Sequence, residues 1–335
     1  MASLQPRKRK RPLIAIVGIN DATETTDYLM PAGILRRAGI ADIAMLATGP
    51  GAVQLYPALR VDADATIGQF DARHPDGADY VIVPAMSRDD DPAVMKWLRE
   101  QSKKGAVIIG ICAGAKVVGA AGLLDGKRAT THWYYLSELL TQTPSIQYVP
   151  DRRMVADRGV VTTTGITASM PMMLTLIEAI AGRTKAAEVA RSLGLSGWDA
   201  RHSSAAFKLT RPFVTTVLAN RLAFWNREEV GLRLDPGMDE VSLAIVADTW
   251  SRTYRSSAAS ISGHSFPVVT ANGIRVVPDR LADRSPKALA ATFPGQPPAV
   301  ALDRALKAIS ERYGERTAEV VAMQLEYPRR DRSSM

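Results

Sequence analysis

The sequence predicts an α/β protein: a doubly wound parallel sheet over residues 13–182, followed by a smaller α/β region over 183–335. Three observations carry this prediction. Between Leu13 and Gly182 short β-type runs alternate with helix-type segments, the order of a parallel sheet with crossover helices. These runs are apolar at consecutive rather than alternate positions, which indicates strands buried on both faces. Finally, Gly105-Ala-Val-Ile-Ile-Gly-Ile-Cys-Ala-Gly-Ala-Lys-Val-Val-Gly-Ala-Ala-Gly-Leu-Leu takes an apolar strand directly into a helix of small residues.

Taken in order, residues 13–17 read as a strand, 28–38 as a helix closed by Gly39, and 42–46 as the next strand before a turn at 49–51. Residues 59–61 form a short strand and 80–83 another, stopped by Pro84. Residues 92–103 make an amphipathic helix with Val94, Trp97 and Leu98 on one face. After a turn at Asp125 and Gly126, residues 129–133 lead to a helix at 134–140; 160–164 is a strand, and 168–181 a helix ended by Gly182.

The second half is less regular. Residues 185–193 are helical, 213–225 are aromatic-rich, 292–298 loop, and 301–313 and 317–325 close the chain as two helices. Segments 241–247, 249–255, 258–262 and Gly273-Ile-Arg-Val-Val-Pro-Asp keep the order of the first strand, the Tyr28 helix, the second strand and Ala58-Leu-Arg-Val-Asp-Ala-Asp. A degenerate repeat and a chance likeness among βαβ pieces both account for this. Phe207, Phe213, Phe224 and Trp225 are expected in core packing or on an interdomain surface. Residues 187–196 have the cadence of a first helix of a helix-turn-helix. Gly197, Trp198 and the His202-Ser-Ser run make a poor recognition helix, however, so nucleic acid is not an expected partner.

Among 335 residues, 46% are hydrophobic and 23% charged, the balance of a soluble globular protein. The longest apolar runs, such as residues 13–19, reach about half of the ~20 residues that a membrane span requires. The net charge of +8 owes most to Arg7, Lys8, Arg9, Lys10 and Arg11. Residues 1–12 therefore read as a solvated, disordered basic arm, with an anionic nucleic-acid or membrane contact as the alternative. Acidic Asp21, Glu24 and Asp27 stand where a signal peptide would be cleaved. One cysteine excludes an intramolecular disulfide, and four dispersed histidines offer no ligand spacing, so no metal is expected; the enzyme reading below likewise needs no organic cofactor. A reducing cytoplasm fits this usage.

Cys112 is the centre of the functional reading. Gly110 and Gly114 flank it where strand meets helix, letting the backbone turn sharply at the carboxyl edge of the sheet, where such sheets bind ligands. The adjoining helix N-terminus favours a thiolate or an oxyanion. An inert, small hydrophobic cysteine is the bland alternative.

Gly110-Ile-Cys-Ala-Gly-Ala, followed by Ala121-Gly-Leu-Leu-Asp-Gly-Lys-Arg-Ala-Thr-Thr-His-Trp, resembles the nucleophile region of the ThiJ/PfpI (DJ-1/PfpI) family, within the class I glutamine-amidotransferase-like superfamily. Val160-Val-Thr-Thr-Thr-Gly-Ile-Thr-Ala-Ser is similar to its late strand-to-helix segment. The likeness spans about residues 13–182 and is nearest in flavour to the amidase-like domain of AraC-type regulators and to isonitrile hydratases. It implies a flavodoxin-like fold and, commonly, a homodimer. It also implies a carboxylate beside the cysteine, and Asp27, four residues before Pro31, matches that place; a helix cap is its alternative role. His132 is a candidate general base or a packed histidine. Ala113 stands where the protease branch often has histidine, and Val83-Pro-Ala-Met-Ser replaces a Pro-Gly-Gly turn, leaving the Ala85 and Ala113 N–H groups as oxyanion donors. Glu24, Met86, Thr164 and Gly165 are placed around the substrate pocket.

The resemblance implies a cysteine-dependent enzyme acting on a small carbonyl, amide or isonitrile-like substrate, with Asp27 tuning a Cys112 thiolate of lowered pKa. A non-catalytic ligand sensor or transcription-regulatory protein is the main alternative, and a redox sensor oxidised at Cys112 a third.

Overall fold

The fold follows from which segments can be buried on two faces and which on one. A computed structural model describes residues 4–6 and 8–328. Strand β1 (Leu13–Gly18) is buried at every position and leads through Glu24 into helix α1 (Thr25–Ala38), which stops at Gly39 with φ 67°. Strands β2 (Asp42–Ala47), β3 (Ala65–Thr66) and β4 (Tyr80–Val83) come next, then α2 (Pro92–Lys103), β5 (Val107–Gly110) and α3 (Gly114–Ala120). The unit closes with β6 (Met154–Asp157), β7 (Val160–Thr163) and α4 (Ser169–Ala181). These seven strands form one sheet in the order β6-β7-β5-β4-β1-β2-β3, parallel throughout except for β6 against β7. From β1 the chain runs first to one edge and then, from β4, toward the other. The crevice at the carboxyl ends of β1 and β4 is thus the topological switch point. Ile14 and Ile16 enter one core cluster, Ala15 and Val17 the other, so the sheet is covered on both faces.

The second region contains α5 (Arg183–Leu193), α6 (Arg211–Leu222), β8 (Glu228–Arg233), α7 (Glu240–Ser251), β9 (Ser256–Ser262), β10 (Arg280–Leu281), β11 (Ala288–Leu289), α8 (Pro298–Tyr313) and α9 (Glu315–Gln324). Its parallel sheet has the order β10-β9-β8-β11. After α5 the chain has no further α-helix until α6.

The suspected repeat is present with its last two segments in the expected register, and its first segment is misassigned. Segment 241–247 lies inside α7, not in a strand; the strand equivalent to β1 is β8. The reason is physical: α7 is buried at every position from Glu240 to Trp250, so its apolar run carries no one-faced helical period. In the register of Ala58 and Gly273, Glu24 caps α1 through Asp27 N (2.7 Å) and Asp239 caps α7 through Ser242 N (2.7 Å). Asp64 accepts from Met45 N as Asp279 accepts from Ser260 N, and the turn bond from Leu55 N to Leu59 O matches that from Thr270 N to Ile274 O. Each of these residues is separated from its counterpart by the same number of positions. The two copies meet reciprocally. Helix α1 lies against α7, Val61 faces its own counterpart Val276 across an antiparallel pair, Arg252 bonds Glu24, and Arg37 bonds Asp239. The interface is isologous in form although both sides belong to one chain. Among the described residues the second copy has no equivalent of β5 and the elbow.

Two further expectations are corrected. Among the described arm residues, Lys8 donates to the carbonyls of Asp76 and Ala78, Arg9 pairs with Asp79 at 2.7 Å, and Arg11 pairs with Asp42. Leu4 is buried and its carbonyl accepts from the Tyr80 hydroxyl. Residues 4–6 and 8–12 are therefore docked where the strands begin, because acidic side chains and carbonyls collect there; residues 1–3 and Arg7 lie outside the described residues. Phe224 and Trp225 are 66% and 70% exposed rather than packed, whereas Phe207 and Phe213 are buried. Among the described residues no helix is long and apolar enough to cross a membrane.

Candidate functional site

Cys112 comes directly after β5 and Ile111 and has φ 56°, a left-handed conformation that a non-glycine residue seldom takes outside strained turns. Two hydrogen bonds hold it there: its N–H donates to Thr163 Oγ1 (3.1 Å) and its carbonyl accepts from Thr131 (3.0 Å). Gly114 is required two residues on. A Cβ there would stand 2.0 Å from the Val83 carbonyl oxygen, since α3 begins against the end of β4. The thiol is buried beneath a cavity of about 520 Å³.

Asp27 lies in the first turn of α1, fully buried, with Oδ2 accepting from Ala85 N at 3.1 Å. Its other oxygen has no hydrogen-bond partner, and the Cys112 thiol is close enough to act on its ionisation. The helix cap is Glu24, not Asp27. Glu24 Oε2 takes the Asp27 N–H and the Thr26 hydroxyl, and Oε1 takes Arg252 at 2.8 Å. Arg252 comes from the second copy and also binds buried Asp248 at 2.7 Å. Burial raises the Asp27 carboxyl to about 7, with the Ala85 N–H opposing. Burial raises Glu24 as well, and neighbouring Asp27 adds to this. Cys112 is pushed up by burial first, then by Asp27, Glu24 and Glu326, with the Ala113 N–H in opposition. A thiol already acidic at rest, as the helix terminus suggested, is therefore not what this setting produces: α3 has two turns, and three carboxyl groups oppose it.

Of the remaining expected residues, Glu24, Ala85 and His132 line the cavity with Cys112, while Met86, Thr164 and Gly165 do not. The Ala85 N–H is occupied by Asp27, so it is no free oxyanion donor. His132 has both ring nitrogens engaged, Nε2 with the Gln324 carbonyl (2.9 Å) and Nδ1 with Tyr134 N (3.2 Å), and burial lowers its pKa. It is held neutral as a packed residue, with no nitrogen left to act as a base. Met86 packs into the core on the α2–α3 face. Thr164 is buried with its N–H on Arg153 O, and Gly165 lies under Glu326, whose Oε2 accepts its N–H at 2.7 Å. Arg252, Tyr254, Gln324 and Glu326 escape a reading of the sequence; the first could have been found by carrying Arg37 through the repeat.

A cysteine on a strained strand-to-helix elbow, beside a buried carboxyl at the switch point of a parallel sheet, defines a nucleophile-elbow α/β domain. Residues 14–179 match the DJ-1/PfpI family. The chain is 39% identical to the isonitrile hydratase of Pseudomonas putida over 28% of its own length and 40% of the relative's. It is 36% identical to the HTH-type transcriptional regulator CdhR of Pseudomonas aeruginosa over 31% of each chain. It therefore spans less than half the length of either protein. The crystal structure of Drosophila melanogaster DJ-1beta matches with a TM-score of 0.50 at 24% identity, covering 56% of this chain and 99% of that one, a likeness of fold.

Proposed function

We propose that Cys112 and Asp27 are the nucleophile and proton acceptor of a cysteine-dependent enzyme acting on a small carbonyl, amide or isonitrile-like electrophile. The observation that carries this reading is that Asp27, relieved of capping by Glu24, is fully buried in hydrogen-bonding reach of the Cys112 thiol, with its carboxyl raised to about 7. A base poised near the working pH is the effective one. In the addition step the Sγ–C bond forms while the thiol proton passes to ionised Asp27. The electrons of the attacked multiple bond move to the substrate heteroatom, or for an isonitrile remain as a pair on the attacked carbon, and that atom takes the proton back from Asp27. The Ala113 N–H beside the sulfur supports charge as it develops. Arg252 and Glu24 fix the α1 terminus on which Asp27 rides. The test is turnover of candidate nitriles, amides, aldehydes and isonitriles by wild type, Cys112→Ala and Asp27→Asn, with intact mass to trap a thioadduct. Full turnover in Cys112→Ala would refute the mechanism.

A non-catalytic ligand sensor in transcriptional regulation is the second reading. It is favoured by the occupied Ala85 N–H, the raised thiol, and the likeness to CdhR. Ligand binding that survives in Cys112→Ala, without product in any screen, would put it first.

A further inference from the structure

Of the acid–thiol pair only Cys112 lines the cavity, and the walls have a different chemistry. Helix α6 supplies one wall: Phe213 and Val217, and Val214 and Leu218, are i, i+4 pairs along its inner side, with Leu209 just ahead of the helix. Leu209, Val214 and Leu218 are 60%, 49% and 55% exposed, although the cavity is where they look. The helix is pinned with this face open. Asn220 is buried and donates to Thr253 O (3.0 Å) and Thr317 Oγ1 (3.1 Å), and Phe213 meets Trp133 edge to face. Trp133, Tyr134 and Tyr135 make the facing wall. Arg221, stacked on Tyr254, and Arg252 put charge at the rest of the lining, and the apolar stretch of α6 left open to water beside Cys112 fits a ligand rather than a fold requirement.

We propose that the molecule reaching Cys112 carries a compact electrophilic head on an extended alkyl or aryl body, seated between α6 and the Trp133–Tyr135 wall. This rests on the reading of Cys112 as the reacting centre, and the test separates the two. The chain has a single cysteine, so intact mass reports modification at Cys112 alone. Rates of modification would be measured with a homologous series of N-alkylmaleimides from methyl to hexyl. The Sγ–C bond forms, the maleimide C=C π bond breaks, and the enolate carbon takes a proton from water. The rate constant is expected to rise two- to fourfold per added methylene, about fourfold being the full burial of one CH₂. In Leu218→Asp and in Val214→Asp the hexyl-to-methyl ratio should fall toward one. In Leu222→Asp, on the same helix but outside the cavity, it should persist. A flat series in wild type, or an unchanged ratio in both wall variants, overturns the proposal. Should every maleimide be slow, the nucleophile reading fails alone. The wall is then read by tryptophan fluorescence of Cys112→Ala titrated with unreactive N-alkylsuccinimides, where a Kd independent of chain length overturns it. Light scattering closes the remaining route: a wild-type dimer that Leu218→Asp dissociates would mean that α6 faces a second copy, and the proposal falls.

Discussion

Replacing Asp27 by Asn should stabilise the folded protein at alkaline pH, and the size of the gain follows from the site. Folded Asp27 holds its proton to about pH 7, because burial disfavours its charge, whereas the carboxyl of an unfolded chain ionises near 3.8. Between these values the unfolded state releases the proton and the folded state keeps it. The folded state therefore loses stability as pH rises from about 4 to about 7, and carries the full penalty above that. Each tenfold difference in ionisation corresponds to 1.36 kcal/mol, so the gap is worth up to about 4 kcal/mol. Asn removes the charge while its amide oxygen can still accept the Ala85 N–H. Urea titrations of wild type and Asp27→Asn at pH 4.5 and 8.5 should show a small difference at the lower pH and a gain of about 2–4 kcal/mol for the variant at the higher. A variant no more stable than wild type at pH 8.5, or a gain equal at both pH values, would refute the raised carboxyl and with it the case for Asp27 as a base near neutrality.

The alkylation rate of Cys112 by iodoacetamide should show an inflection near pH 7 from Asp27, and Asp27→Asn should lose it along with about a hundredfold in rate at pH 7.5. Arg252→Ala leaves Glu24 and Asp248 as buried, unpaired carboxyl groups and should cost about 3–5 kcal/mol in chemical denaturation. Arg37→Ala, whose Asp239 partner is 29% exposed, should cost distinctly less in the same assay. His132→Gln should lower the melting temperature while leaving the pH 7 inflection of alkylation in place, since both ring nitrogens serve local hydrogen bonds.

The first sheet is legible in the sequence because its strands are uniformly apolar and end at glycine or proline: Tyr80–Val83 and Pro92–Lys103 can be placed to the residue. Short edge pieces such as Ala65–Thr66 and Met154–Asp157 cannot, since two to four residues held by one neighbour leave almost no pattern. Helix α7 reads as a strand for the opposite reason, an excess of apolar residues that erases the helical period. At the site, the elbow is visible in Gly110, Cys112 and Gly114, because steric demands there select residue types. The division of labour between Glu24 and Asp27 is not, because both are acidic residues at one helix start and only the backbone geometry decides which one caps. Arg252 is reachable only by carrying Arg37 through the spacing of Ala58 and Gly273, and the engagement of His132 depends on the carbonyl of Gln324, nearly two hundred positions away.

The fused arrangement of the two copies has an evolutionary consequence. In an association of identical subunits, any substitution is inherited by both ends of the shared surface at once, so neither end can specialise. Here the ends are separately encoded. Arg252 reaches Glu24 next to the thiol, while its counterpart Arg37 reaches Asp239, where Ser242 stands in place of Asp27 and no elbow exists. One copy can drift as scaffold while the other is held by its chemistry. A lineage built this way gains a route to a lopsided site that a symmetric pair does not have.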